Sequence, residues 1–393
     1  MGLGRQAERQ NAMWISCDLI PKSRGHAFYD RLQSELTKSG FDRFAEDQCA
    51  PFYDKSRGRR SIPPGRYFRM LLVGYFEGID SERGIEWRCA DSLSLREFLL
   101  LDHTESVPDH STLSRMRSRL PLEVHSQIFS FVLDLLTKHG LVKGERLGVD
   151  ASTMEANAAL KAIVRRDTGE GYNEMLRRMA KESGVETPTQ DDLIRMDRQR
   201  KGKKLSNQDW KSPTDPEARI AKMKDGRTRL GYKPEHAVDL DTGAIVAAKV
   251  HHADQGDTAT LPKTLDTASE QLEAIGKKPT ESARCETVCD KGYFSRDTLK
   301  ELDGSEWKTR IAEPKRKGLN WWHGDHEARR AVYNNRARIG SALGKAASRR
   351  RTELVERSFE HCLDRCGGMR RAWLRGVENL EKRYLIHVAG FNL

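Results

Sequence analysis

Apolar positions along the chain follow two regimes, with a change near residue 140. In the first regime they recur every three to four residues. "SIPPGRYFRMLLVGYFEGI" (61–79) opens on Pro-Pro-Gly and continues with apolar residues at helical spacing, which predicts a helix. "SLREFLLL" (94–101) predicts a second, short one, and "PDHSTLSRMRSRLP" (108–121) a third. In the third, Asp109 or Ser111 can cap the start and Pro121 stops it. Leu113, Met116 and Leu120 share one face of that helix, while Arg115 and Arg119 lie one turn apart on another.

Beyond 141 the period shortens. "ERLGVDAS" reads as a strand, and "KPEHAVDL" and "AIVAAKVHHA" as two more joined at Asp241-Thr242-Gly243, a hairpin signal. "TATLPKTLDTASEQLEAIG" (258–276) predicts an amphipathic helix, "CETVCDKGYFS" (285–295) a strand ending in aspartate, and "SRDTLKELDG" (295–304) a short helix. "WKTRIAEP" (307–314) predicts a strand stopped by proline. "RRTELVERSFEHCLD" (350–364) predicts a helix with Val355, Phe359 and Cys362 as its apolar stripe. This order predicts a mixed α/β sheet with helices packed on it. The expected division is a helical domain over 1–140 and an α/β domain over 141–393, with basic insertions near 156–230 and 315–349.

Composition narrows the partner. The 393 residues carry 69 Lys and Arg against 58 Asp and Glu, a net charge of +11, which points to a polyanion. A mean hydropathy of −0.73, no run of 18 apolar residues and a polar start, "MGLGRQAERQ", predict no membrane partner and a cytoplasmic location. Seven cysteines, an odd number without a secretory signal, predict reduced thiols. The pairs Cys285/Cys289 and Cys362/Cys366 are spaced more loosely than a zinc knuckle and read as small buried residues. His251-His252 and His323-x2-His326 come without matching carboxylate or cysteine partners and read as structural or solvent-facing.

Asp150 and Asp290 carry the candidate chemistry. Each ends an apolar strand and is followed by small or polar residues. One such aspartate reads as an ordinary strand-end cap. Two matched ends on neighbouring strands would emerge at one sheet edge, with Glu356 on a helix able to pack beside it. Three carboxylates at one point repel unless a cation neutralises them. Two hard divalent cations held this way activate a water or a 3′-hydroxyl for in-line displacement at phosphorus. Lys291, beside Asp290, reads either as placed to touch a scissile phosphate or as an ordinary strand-end lysine of a basic protein. The basic helix with Arg115 and Arg119 reads either as part of a helix-turn-helix-like DNA reader or as an amphipathic helix with a solvated face. Trp321-Trp322, adjacent in a polar basic insertion, read either as a stacking surface for an unpaired base or as an anchor of the insertion on the sheet.

"GVDAST" (148–153), "DKGY" (290–293) and "ELVERSF" (353–359) resemble the three blocks of DDE transposases from bacterial insertion sequences, in the group with a "VER"-type third block, the Four/Five superfamily. Residues 61–99 resemble the N-terminal domain of that group, and "GYKPEHAVDLDTG" (231–243) its second and third core strands. The resemblance covers most of residues 60–393. It implies an RNase H-like mixed-sheet catalytic core with insertions, preceded by a mainly helical DNA-binding domain. It also implies Asp150, Asp290 and Glu356 as the catalytic, metal-binding triad, with Mg²⁺ as cofactor and Mn²⁺ as a substitute. Glu353 and Glu360 are the rival third ligands, and placement within "VERSF" favours Glu356. Many relatives carry tyrosine, arginine and lysine at the positions held here by Arg349, Thr352 and Leu363, which leaves Arg350, Arg351 and Arg357 as candidates for phosphate contacts. Hairpin-forming relatives use an aromatic in the insertion that holds Trp321 and Trp322. Relatives often continue past "YLIHVAGFNL", so a slightly shortened C-terminus is expected. The implied partners are the element's terminal inverted repeats and target DNA, bound by a homodimer in a synaptic complex at the nucleoid. The expected activity is cleavage of the element ends and transfer of their 3′-hydroxyls to target DNA. The alternatives are a nuclease on the same core without strand transfer, and a non-catalytic repressor derived from a transposase.

Overall fold

The computed structural model describes residues 16, 25–54, 58, 60–102, 104–200, 205–315, 322 and 324–393. Seven helices come first: α1 (Ala27–Lys38), α2 (Phe41–Cys49), α3 (Pro64–Phe76), α4 (Glu82–Asp91), α5 (Leu93–Phe98), α6 (His110–Arg119) and α7 (Leu122–Lys138). Proline in its first turn starts α3, where a missing N–H loses nothing. From Gly65 to Tyr75 all but one residue of α3 is buried, so this helix forms the middle of the helical layer. Arg69 of α3 is fully buried, tied to Asp42 by two hydrogen bonds and set over the rings of Phe41 and Phe98. On α6 the predicted cap is present: Asp109 Oδ1 accepts from the Thr112 N–H at 2.9 Å.

The second part contains β1 (Arg146–Ala151), β2 (Met154–Glu155), β3 (Val164–Arg165), α8 (Tyr172–Glu182), α9 (Gln190–Gln199), β4 (Trp210–Lys211), β5 (Arg219–Lys222), β6 (Thr228–Asp239) and β7 (Ile245–His252). It continues with α10 (Asp257–Ala274), β8 (Cys285–Cys289), α11 (Arg296–Asp303), β9 (Trp307–Ile311), α12 (His326–Gly340), α13 (Ala342–Phe359) and α14 (Val377–Asn392). The main sheet runs β7-β6-β1-β8-β9. Its first three strands are antiparallel and β1, β8 and β9 are parallel. The early half of β6 carries β2 and β5. β6 and β7 form the predicted hairpin, whose turn needs Gly243 at φ +88°. The long insertion after β1 holds α8, α9 and the small β3–β4 ladder.

Alternate residues of β6 show how the two faces are covered. His236 stacks on Phe359 of α13 and bonds the hydroxyl of Tyr384 on α14. Its neighbour Glu235 points the other way, to Thr260 and Thr264 of α10. The sheet is therefore sandwiched, with α10 on one face and α13 and α14 on the other. α14 also packs on α3 and α7, so Ile386 belongs to the helical core while Tyr384 and Val388 belong to the sheet core. The last helix thus ties the two parts together, a contact that a division at residue 140 does not anticipate. Among the described residues no helix is long and apolar enough to cross a membrane.

An ion cluster braces the parallel strands. Glu286 of β8 accepts from Arg310 of β9 at 2.7 and 3.0 Å and from Arg146 of β1 at 3.0 Å. Burial pushes this carboxyl up, but the two guanidinium groups outweigh it and hold it at about 2, against an ordinary 4.5. A lowered carboxyl stabilises the fold above pH 4.5 and loses that contribution as pH falls toward 2. The melting temperature should drop across that window, and Glu286→Gln should flatten the drop when melting is followed against pH.

Candidate active site

Pairing of β1 with β8 builds the site. Val149 lies opposite Cys289 at the end of this parallel ladder, so Asp150 and Asp290 stand side by side just past it, Asp150 still paired with His236 of β6 and Asp290 opening the turn after β8. Gly148 and Asp150 point to the face covered by α13. A Cβ on Gly148 would stand 2.9 Å from Arg351 Cγ and 3.2 Å from Val355 Cγ2, so glycine lets α13 settle onto the strand. Asp150 Oδ2 accepts from the Arg351 guanidinium at 2.7 Å, and its Oδ1 from the Ala151 N–H at 2.8 Å. Burial pushes the Asp150 carboxyl up; Arg351 opposes this, and the nearby Asp290 adds to it.

Asp290 caps a tight turn over Lys291–Tyr293, accepting from the Gly292 N–H at 2.8 Å. A Cβ on Gly292 would collide with Asp257, the first residue of α10, which places a further carboxylate on this rim. Asp257 is paired with Lys233 at 2.6 Å. The turn is pinned beneath by Tyr293, whose hydroxyl donates to Glu235 Oε1 at 2.7 Å.

The third acid is placed differently. Glu356 is exposed on α13, and the residue this helix presents to Asp150 is Arg351. Among the described residues no three His, Cys, Asp or Glu side chains are grouped closely enough to hold a metal ion. The rival acids are engaged elsewhere. Glu353 lines a recess with Arg349, Arg350, Arg357 and Thr242 at the β6–β7 turn, and Glu360 pairs with Arg365 at 2.7 Å. Asp150 and Asp290 form an oxygen-only donor pair of the kind that suits a hard divalent cation, Glu356 is not grouped with them, and the positive charge at Asp150 is supplied here by Arg351.

The other predicted residues are distributed around this edge and on the helical part. Arg115 and Arg119 are exposed on α6; Arg115 donates to Thr112 Oγ1 at 3.0 Å and Arg119 lies 4.9 Å over the Tyr53 ring. Arg117 between them turns inward to Glu82. Lys291 is exposed, as is Arg357, while Arg350 donates to the Asp241 carbonyl at 2.9 Å. Trp322 is partly buried against the sheet core, with the Arg296 guanidinium 4.6 Å over its ring and Tyr333 6.2 Å away, contacts that suit an anchor. Trp321, His323 and Cys17 lie outside the described residues. His251 does have a carboxylate close by: it is buried 3.5 Å from Glu235 and 3.1 Å from Thr264 Oγ1, partners that only folding brings to it. His252 bonds the Glu217 carbonyl. Cys285, Cys289 and Cys362 are buried, and burial pushes their thiols up.

One contributor has no counterpart in the sequence reading. Residues 370–373 dock along β2, just after Asp150: the Glu155 N–H donates to the Arg370 carbonyl and the Ala372 N–H to the Glu155 carbonyl. The Arg370 side chain donates to Ser152 Oγ and the Thr153 carbonyl, both at 3.0 Å, and is held by Asp364. The only local signal is the short apolar run Ala372-Trp373-Leu374 between Arg371 and Arg375.

No curated protein and no solved structure matches the chain. Two family models do. A transposase domain (DUF772) matches residues 18–119, and a transposase DDE domain matches residues 184–390, more than half of the chain. The second match contains Asp290 and Glu356, and Asp150 lies between the two. With an RNase H-like sheet, paired aspartates at its edge and both matches in order along the sequence, the chain belongs to the DDE transposases, DNA-acting enzymes of the polynucleotidyl transferase type.

Proposed function

We propose that this transposase cuts DNA at the ends of its element and joins the freed 3′-hydroxyls to target DNA, with Asp150, Asp290 and Glu356 holding two divalent cations, Mg²⁺ in the first place. The observation that carries this reading is the placement of Asp150 and Asp290 side by side at the end of the β1–β8 ladder, with Asp150 on the face that α13 covers. When bound, the cations supply Lewis-acid charge at the reacting phosphate. Water is the nucleophile for cleavage, and breaking the P–O3′ bond leaves a 3′-hydroxyl. In joining, that hydroxyl attacks a target phosphorus, loses its proton to solvent, and displaces the target's own 3′-oxygen. Asp150 and Asp290 are held rigidly for this by the strand pairing and by the capped turn after Asp290. Lys291, Arg351 and Arg357 supply positive charge along the approach of the phosphate backbone. The test is an oligonucleotide assay with the inverted repeats that flank the coding sequence: joined products support the reading, and cleavage without joining favours a nuclease.

We assign the helical part to end binding, as a DNA-binding domain preceding the core, with a homodimer bridging two ends. The exposed pair Arg115 and Arg119 supports this. Replacing both with alanine should weaken binding to the element's ends, and the deficit should shrink as salt rises, since about two fewer phosphate contacts remain to be screened. Binding isotherms at several salt concentrations check this; unchanged binding at low salt would return α6 to a merely solvated helix.

A further inference from the structure

The guanidinium of Arg351 is built onto Asp150. Its Nη1 donates to Asp150 Oδ2 at 2.7 Å, in the only ion pair Arg351 makes among the described residues. The pair is sheltered, with 12% of the Arg351 side chain and 28% of the Asp150 side chain exposed. Packing fixes where Arg351 stands. Its stem lies over Gly148, and the buried Val355, Ser358 and Phe359 hold the same helix on the sheet, the Ser358 hydroxyl bonding His236 Nδ1 at 2.8 Å. α13 thus presents a cation, not a carboxylate, to Asp150. Glu356 follows Arg351 by five residues, roughly 140° further around the helix, and is exposed.

Two adjacent carboxylates repel unless a positive charge lies beside them, and at Asp150 and Asp290 Arg351 supplies that charge. A divalent cation on Asp150 would do the same, so it competes with Arg351. A single and a double positive charge about 5 Å apart repel enough, even with the screening of water, to weaken binding about tenfold. Both oxygens are also engaged, Oδ1 by the Ala151 N–H and Oδ2 by Arg351. The group that best replaces a carboxylate as partner of a guanidinium is a phosphate, which it grips with the same planar fork.

We propose that Arg351 is an exchangeable counter-ion: without DNA it neutralises Asp150 and keeps divalent cations weakly bound, and on DNA it transfers to a strand phosphate and frees Asp150. The inference rests on the reading that Asp150 and Asp290 hold divalent cations, and goes beyond it by making cation loading depend on DNA. Such coupling is reciprocal, so cations tighten DNA binding by the same factor.

The test measures Mn²⁺ binding, read from the electron paramagnetic resonance signal of free Mn²⁺, with and without a precut element-end duplex. Wild type is compared with Arg351→Met, which keeps an apolar stem over Gly148 without the charge, and with Arg351→Lys, which keeps the charge. Without DNA, Arg351→Met should bind Mn²⁺ at least about tenfold more tightly than wild type, and Arg351→Lys should stay close to wild type. DNA phosphates attract the ion in every case, so the coupling is read as a difference. The duplex should raise the affinity of wild type about tenfold more than that of Arg351→Met. A melting curve in EDTA controls for folding, and Arg351→Gln, which retains a donor for Asp150, replaces Arg351→Met if that variant does not fold. Equal Mn²⁺ affinity of wild type and Arg351→Met without DNA overturns the proposal, as does an equal gain from the duplex. If none of the proteins binds Mn²⁺ beyond what the duplex binds alone, the metal reading falls as well.

Discussion

Asp150→Asn is expected to lower cleavage at least about a thousandfold while leaving binding to the element's ends intact or tighter. The carboxylate sits at the end of β1 with Asp290 beside it, so losing its charge removes half of the paired oxygen donors that the strand pairing assembles. The fold has little reason to change. The asparagine oxygen can keep one of the two bonds that the carboxylate accepts on separate oxygens, from Arg351 or from the Ala151 N–H, and burial of a charged carboxylate is relieved. Binding improves because one negative charge less faces the phosphate backbone. Cleavage and binding measured on one preparation, with a melting curve as a control for folding, separate this from a stability effect. Loss of binding in parallel with cleavage would make Asp150 structural.

The second large effect is on stability. Glu235 is fully buried and accepts from Thr260 Oγ1 at 2.9 Å, from the Tyr293 hydroxyl at 2.7 Å and from Thr264, with His251 at 3.5 Å and Lys233 at 3.9 Å. Burial alone would raise its carboxyl, but the hydrogen bonds from His251, Thr264 and Tyr293 outweigh it and the group is held low. Glu235→Ala leaves Lys233 short of one counter-charge and Tyr293, Thr264 and His251 without their acceptor. Breaking a buried pair in this way costs roughly 3–5 kcal/mol, a large part of a domain's stability. Glu235→Gln should cost less, since one oxygen remains to accept. Urea unfolding of the three proteins checks the order. Because Tyr293 pins the turn that starts at Asp290, even folded Glu235→Gln should cleave more slowly than wild type. A loss below about 1 kcal/mol for Glu235→Ala would mean the network is not the brace described.

Much of this site was legible before folding. Asp150 and Asp290 stand out because each ends a short apolar strand, and the hairpin at Asp241-Thr242-Gly243 and the stripe Val355, Phe359 and Cys362 are likewise local signals. What the sequence could not carry are partnerships made across the sheet. Arg351 reads as one of several basic residues on a helix, and only packing on Gly148 turns it toward Asp150. Glu235 looks like an ordinary polar position in a strand, because its partners come from α10, β7 and the turn after β8. The docking of residues 370–373 on β2, and of α14 on α3 and α7, likewise joins segments far apart in the chain.

The central claim is that Asp150, Asp290 and Glu356 form one catalytic unit that both cuts and joins DNA. It is tested most directly by incubating the protein with end-labelled element termini and a target plasmid in Mg²⁺, and following the label. The account predicts covalent transfer of labelled 3′-ends into the plasmid by wild type, and none by Asp290→Asn or Glu356→Gln when both variants still bind the termini. Transfer that survives Glu356→Gln, or termini that are cut by wild type but never joined, would contradict it.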